Sequence, residues 1–209
     1  MHFTRKDIDA LNRIYRINLI NSCSGYKSAN LLGSVSKDGT TNVAVFSSVT
    51  HLGSNPPVLG FILRPTTVPR NTYKNIKQTG VFTINHIYQE ILEDAHHTSA
   101  KYPEEISEFD ITDLDIEYKN NCIAPFVKGS PVQMKMRFKE EYFIKTNEVL
   151  HIIAEIEKLY IEDNLIEKDG FVDLAKGKVA AINGLDAYAI ANNNTRFGYQ
   201  RPKEITQMK

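Results

Sequence analysis

The chain has 209 residues, 42% hydrophobic and 24% charged, with 25 Lys and Arg against 25 Asp and Glu. That length suits one domain with its own core, and a formal charge of zero excludes a strong sequence-independent attraction to nucleic acid or anionic lipid. No apolar run approaches the ~20 residues of a membrane-spanning helix. The charged N-terminus is unlike a signal peptide, so Cys23 and Cys122, which form no C-x-x-C pair, read as reduced thiols of a cytoplasmic protein.

Residues 4–16 read as the first helix. Thr4 and Asp7 resemble a capping box, and Ile8, Leu11, Ile14 and Tyr15 share one helical face. Residues 30–36 read as a strand and 37–40 as a tight turn, where Asp38-Gly39 supplies a positive φ. Residues 41–49 form the partner strand. Val43 and Val45 face one way, Ala44 and Phe46 the other. With both faces apolar, it is expected at the centre of its sheet.

That strand turns hydroxyl-rich at Ser47, Ser48 and Thr50. The pair Pro56-Pro57 removes two donors and forces a turn. A buried strand follows over residues 58–63, ended by Arg64-Pro65. Residues 66–71 are a loop and 72–77 a short helix, broken by Gly80 before a strand over 81–86.

Ile87, Ile91, Leu92 and Ala95 predict an amphipathic helix over 87–98. Residues 102–115 are acidic and irregular, with at most a short helix over 103–107. Residues 132–138 alternate strictly, with Gln133, Lys135 and Arg137 on the outward face. Over 150–161 the apolar parity slips by one residue, which predicts a β-bulge near Glu157-Lys158. Residues 179–190 read as a strand pair broken at Gly184, and 192–209 as a polar surface tail. Strands outnumber helices, which favours a mainly β, antiparallel barrel with peripheral helices.

The chemistry concentrates between Asn42 and Thr72. A helix start offers unpaired N–H groups and partial positive charge. Asn71 or Thr72 can cap it, and Arg64 and Arg70 can neutralise a phosphate. The bland alternative is that Asn71 and Thr72 only cap, while the arginines pair with carboxylates. The stretch Ser47-Ser48-Val49-Thr50 offers backbone and hydroxyl partners to the edge of a planar heteroaromatic ring, or simply solvated hydroxyls. His96 and His97 are adjacent, so on a helix they diverge by about 100° and suit one metal poorly. Neither G-x-G-x-x-G nor G-x-x-x-x-G-K-[ST] occurs, and no nucleophile elbow is visible. Enzymatic chemistry would therefore reside in a cofactor.

Taken in order, these pieces resemble the flavin reductase-like family of FMN-binding split barrels, which includes flavoredoxin. Asp38, Gly39, Asn42, Ala44, Phe46 and Ser47 match its D-G-x-x-N-x-A-x-F-S strand, ahead of the Pro-Pro turn. Arg70, Asn71, Thr72, Asn75 and Ile76 stand at its K-D-T-x-x-N-I segment, and Gly80, Phe82 and Asn85 at its T-G-x-F-x-x-N. Downstream, Ser107-Glu108-Phe109, residues 124–127, residues 130–132 and residues 184–188 look like its later landmarks. Arg70 keeps the charge of the family's lysine, whereas Asn71 lacks that of its aspartate.

The resemblance implies one split-barrel domain over 1–209 (core 28–190), antiparallel and Greek-key-like. It implies FMN as cofactor and a homodimer with the flavin near the interface. Asn42, Ser47, Ser48, Val49 and Thr50 would contact the flavin; Arg64, Arg70, Asn71 and Thr72 would surround its phosphate. The implied activity is NAD(P)H:flavin oxidoreduction, with hydride passing from NADH or NADPH to flavin N5 and onward to a partner oxygenase or another acceptor. A non-enzymatic FMN electron carrier is the alternative. A pyridoxamine phosphate oxidase-like or deazaflavin enzyme is the third reading.

Overall fold

The computed structural model describes residues 1–202. Of the expected polar tail, residues 192–202 are exposed and irregular, and the remainder lies outside the described residues.

The capping box forms as expected. Thr4 accepts from the Asp7 N–H, and the Asp7 carboxylate accepts from the Thr4 N–H at 2.8 Å, starting α1 (Arg5–Ala10). The single helix expected over 4–16 is two. Leu11 is extended, and the Asn12 side chain takes the Ile14 N–H at 2.9 Å, opening α2 (Arg13–Cys23). A side chain offering a local cap wins over the apolar periodicity. Ile14 and Tyr15, read as part of one apolar helical face, are each more than half exposed.

The centre of the molecule is a seven-stranded antiparallel sheet curled around one apolar core. Its strands are β2 (Asn30–Val35), β3 (Thr41–Phe46), β4 (Thr50–Ser54), β5 (Pro57–Leu63), β6 (Val81–His86), β9 (Val132–Ile144) and β10 (Val149–Ile161). The order is β3-β2-β6-β9-β10-β5-β4. Leu32, Phe61, Phe82, Ile84, Met136 and Ile152 fill the interior, and the Phe61 ring meets Phe46 and Phe82 edge-on at 5.2 and 5.7 Å. The short strands β1 (Lys27–Ser28), β11 (Ala180–Asn183) and β12 (Ala187–Ile190) make a second sheet, and β7 (Ile116–Glu117) pairs with β8 (Phe126–Val127).

Two expectations about the first strands fail together. The strand over 41–49 stops at Phe46 and lies at one edge of the sheet, not its centre. Both its faces are still covered: Phe46 packs on the barrel core, while Val43 and Val45 meet a second cluster that includes Phe109 and Leu114. Its open edge is closed by side chains. The Glu108 carboxylate accepts the Val43 N–H at 3.0 Å, and the Thr41 and Ser107 hydroxyls meet at 2.8 Å. The Pro-Pro turn joins β5 to β4 instead, at the far edge of the sheet.

Further along, α3 (Asn71–Thr79) ends at Gly80, which takes the left-handed φ of 70° expected of a helix breaker. The amphipathic helix expected over 87–98 is interrupted. Ile87 is fully buried, Tyr88 bridges to Val179, and only α4 (Leu92–His97) is α-helical, after a 3-10 turn at Gln89–Ile91. In the acidic stretch, the only helical turn among the described residues is Glu108–Asp110, just beyond the expected 103–107. The ladder between β9 and β10 shifts register between Ile156 and Lys158, where the parity slip predicted a bulge, and again between Ile153 and Ala154. Gln133, expected to face outward, is buried because β8 lies over it; its Nε2 donates to the Val127 carbonyl at 2.6 Å. The last strand pair turns at Gly184 as expected.

Candidate functional site

The Asn42 side chain reaches from β3 to the first turn of α3, where its Nδ2 donates to the Thr72 hydroxyl at 3.0 Å. The same amide lies 3.5 Å from the Ser34 hydroxyl, to which Asn75 Nδ2 donates at 3.1 Å. All four residues are buried. This polar seam fixes the start of α3 against the β2–β3 hairpin. Neither Asn71 nor Thr72 caps the helix. Arg70 holds the N-cap position with extended backbone and no side-chain cap bond, Asn71 is the first helical residue, and the Thr72 hydroxyl is engaged by Asn42. The first-turn N–H groups therefore keep their partial positive charge without a side-chain acceptor.

Among the described residues, neither Arg64 nor Arg70 pairs with a carboxylate, although ten other cationic side chains do. Arg64 is exposed, and Arg70 is half-buried with its Nε enclosed and without a hydrogen-bond partner. An enclosed guanidinium N–H lacking an acceptor is unfavourable. An anion at the start of α3 would supply the acceptor and the countercharge together.

A pocket of about 600 Å³ opens where β3 ends, within the range of small-ligand sites. Ser47, Ser48, Val49 and Thr50 line it, with Tyr26, Lys27 and Ser28 opposite. The backbone N–H groups of Ser47, Ser48 and Val49 take part in no turn or loop hydrogen bond among the described residues. The Ser48 hydroxyl is already engaged: it accepts the Ile62 N–H at 3.0 Å and donates to the Ile62 carbonyl at 3.2 Å, tying the strand end to β5. The Ser47 and Thr50 hydroxyls and the backbone thus remain the groups able to meet a ring edge.

Asn42 and Asn71 open instead into a separate pocket of about 260 Å³, whose walls include Asp38, Glu104 and Glu105. Glu104 pairs with Lys74, and the remaining Asp38 and Glu105 make this side hostile to an anion. The sequence-selected residues therefore fall apart: Ser47–Thr50 line the ring-sized pocket, Arg70 and Thr72 stand at the start of α3, Asn42 and Asn71 line the acidic recess, and Arg64 is exposed just after β5.

Sequence reasoning passed over the wall formed by Asn21, Ser24, Tyr26, Lys27 and Ser28. The Lys27 ammonium is held by the Asn21 carbonyl at 3.0 Å, the Ser24 hydroxyl at 2.9 Å and the Gly25 carbonyl at 3.3 Å. These neutral oxygens anchor it at the end of α2 and leave a net positive charge beside the pocket. The Ser28 hydroxyl donates to the Val49 carbonyl at 2.7 Å, joining the two walls. A small, polar, Gly-containing run between helix and strand was the available signal.

Elsewhere, burial raises the Glu108 carboxyl above its usual range, opposed by the Val43 N–H that it accepts. His96 Nδ1 meets the Tyr188 hydroxyl at 3.2 Å, while His97 Nε2 meets that of Tyr102 at 2.7 Å, so the two rings serve different contacts. Among the described residues, no group of three or more metal-ligating side chains assembles, and no helix is long and apolar enough to cross a membrane.

Comparison with known proteins draws these features together. A protein of Shewanella frigidimarina NCIMB 400, described as a flavin reductase with split barrel domain, is 44% identical and superposes with a TM-score of 0.92 over 96% of this chain and 100% of its own. Nitrilotriacetate monooxygenase component B from Bacillus cereus shares the fold at 18% identity, with a TM-score of 0.81 over 94% of this chain and 98% of its own. So does the Pseudomonas fluorescens 2-nitrobenzoate 2-nitroreductase, at 19% identity and a TM-score of 0.80 over 98% and 100%. The fold is thus a split barrel, and residues 24–177 match the model of the flavin reductase like domain. The chain belongs to the flavin reductase like domain family.

Proposed function

We propose that the protein is an FMN-dependent NAD(P)H:flavin oxidoreductase. The observation that carries this reading is the unpartnered Arg70 Nε at the start of α3. Arg64, Arg70 and the N–H groups of the first helical turn, that of Asn71 included, would hold the phosphate, with Thr72 fixing that turn through Asn42. Ser47 and the backbone of Ser48, Val49 and Thr50 would meet the ring edge. From Asn42 to Ser47 the chain covers about 17 Å by strand rise, the order of an extended flavin mononucleotide. Bound FMN would supply the hydride chemistry, accepting from NADH or NADPH and passing electrons to free flavin, a partner oxygenase or another acceptor. The protein's part is to bind, orient and shield: Val49 packs on the barrel core beneath the pocket, and the Lys27 charge stands at its wall.

Two further expectations belong to this reading. A homodimer would cover Ile14, Tyr15, Ile20, Tyr26 and Leu52, large apolar side chains exposed on α2, beside the pocket and on β4. An oxygenase as recipient is supported by the name of the Bacillus cereus relative, which is a monooxygenase component.

A passive FMN electron carrier is the second reading. It is favoured by a pocket whose ionisable groups are otherwise occupied: Lys27 by three oxygens, and His51 by the Ser54 hydroxyl at 3.1 Å. An absorbance spectrum of the FMN-loaded protein, before and after anaerobic NADH and then NADPH, tests both. Bleaching of the flavin bands with steady turnover of added FMN is expected. Bands that persist with both nucleotides would leave the carrier, and failure to bind FMN would remove both readings.

A further inference from the structure

Inside the mouth of the barrel lies a polar pair that the flavin reading does not use. Asn30 opens β2 and is 1% exposed, yet neither its Oδ1 nor its Nδ2 has a hydrogen-bond partner. Its cross-strand neighbour on β6 is His86, whose Nδ1 is likewise enclosed and unpartnered. Directly opposed residues in an antiparallel pair share a face. That face is the barrel interior, since Leu32 on β2 and Ile84 on β6, each two residues away, belong to the inner core. Three enclosed polar atoms on adjacent side chains, with no partner from the protein chain itself, call for one.

The rung sits directly under the ring-sized pocket. Asn30 pairs on its other side with Phe46, the residue before Ser47, and lies one pleat from Ser28, whose hydroxyl reaches Val49. The chemistry of the pair selects its occupant. Burial holds the His86 imidazole down, near a pKa of about 4, so the ring is neutral at physiological pH. Asn30 is neutral too, so the pair has no charge with which to hold an ion in an apolar barrel. Asn30 offers one acceptor and one donor group, and a neutral ring nitrogen offers one or the other. Only a small molecule that both donates and accepts satisfies all three atoms.

We propose that Asn30 and His86 together bind internal water at the mouth of the barrel, beneath the ring-sized pocket. This water bridges the Asn30 amide to His86 Nδ1 and seals the polar end of the core. Such bridging is nearly equivalent to a direct hydrogen bond and is how buried polar groups without protein partners are ordinarily completed.

The unaltered protein provides the first test. A high-resolution crystal structure should show ordered water within hydrogen-bond distance of both the Asn30 amide and His86 Nδ1. Nuclear Overhauser transfer from a long-lived water to the Asn30 side-chain NH2 protons should accompany it. A direct Asn30–His86 hydrogen bond, with no water between them, would overturn the proposal. A double-mutant cycle of Asn30→Leu and His86→Leu gives an independent reading. Each single change orphans its neighbour and should lower the folded-to-unfolded ratio about tenfold, while the double change should lose clearly less than the two combined. Strict additivity would count against a shared water.

Discussion

The Glu108 carboxylate accepts the backbone N–H of Val43 at 3.0 Å and so closes the open edge of β3. An edge strand presents unpaired N–H groups that invite association, and here a buried side chain from a sequence-distant 3-10 turn occupies one of them. Glu108→Ala should therefore destabilise the fold by about 1–3 kcal/mol by orphaning that N–H. Glu108→Gln keeps an acceptor and should lose much less. Because burial raises the native carboxyl, its stabilisation is fullest below the unfolded pKa near 4.5 and declines as pH rises through the folded value. The Gln variant should thus compare better with the parent at pH 7 than at pH 4. Urea melts at both pH values would show the opposite order if Glu108 were ionised without penalty.

Arg70 carries the phosphate assignment. Arg70→Ala should weaken FMN binding by tenfold or more, the scale of one charge-assisted hydrogen bond, and Thr72→Ala should add to it by loosening the first turn of α3. Arg137→Ala is the control: Arg137 sits on β9, pairs with Glu157 at 2.7 Å, and should leave FMN affinity unchanged. Fluorescence titration of the apoprotein would reject the assignment if Arg70→Ala and Arg137→Ala bound FMN equally.

The strands with strong alternation or a continuous apolar run were legible from sequence, because burial on one or both faces writes itself into the residues. That holds for β6, for β9 and for the slip that marks the bulge in β10. β4 was not legible: four of its five residues are exposed, so it carries no apolar period. The early stop of β3 hid for the opposite reason, since Val49 keeps the alternating parity of Val43 and Val45 although the chain has already left the strand. At the site, sequence reasoning found the Ser47–Thr50 wall of the pocket but not the facing Asn21–Ser28 wall. The Ser28 hydroxyl joins the two through the Val49 carbonyl, across a sequence separation that no motif records.

The acidic recess behind α3 should favour FMN over FAD. Asp38, Glu104 and Glu105 stand around Asn42, Asn71 and Asn75, and among the described residues only Glu104 forms an ion pair, with Lys74. A second phosphate and an adenosine leaving the start of α3 on this side would meet two uncompensated carboxylates. Asp38→Asn combined with Glu105→Gln should raise FAD affinity relative to FMN by about fivefold at low salt, the scale of exposed charge interactions, with the gain shrinking as salt rises. An unchanged ratio would place the dinucleotide's path elsewhere.

His86 gives the fold an acid limb above that of its carboxylates. Its pKa falls from 6.5 to about 4 because burial disfavours the charged ring. The unfolded chain therefore binds a proton at a pH where the folded chain does not. Stability is fully present above pH 6.5, declines as pH falls, and stops declining on this account below about pH 4. The total is about 3 kcal/mol by linkage. Carboxylates held low by partners, such as Glu90 with Lys178 and Glu157 with Arg137, lose their contribution at lower pH, as it falls from their unfolded value through their folded ones. His86→Gln removes the titrating group while keeping a hydrogen-bonding side chain. The parent's stability should drop more steeply than the variant's between pH 6.5 and 4, and the two slopes should converge below that. Parallel slopes across the whole window would mean that His86 titrates normally in the folded protein.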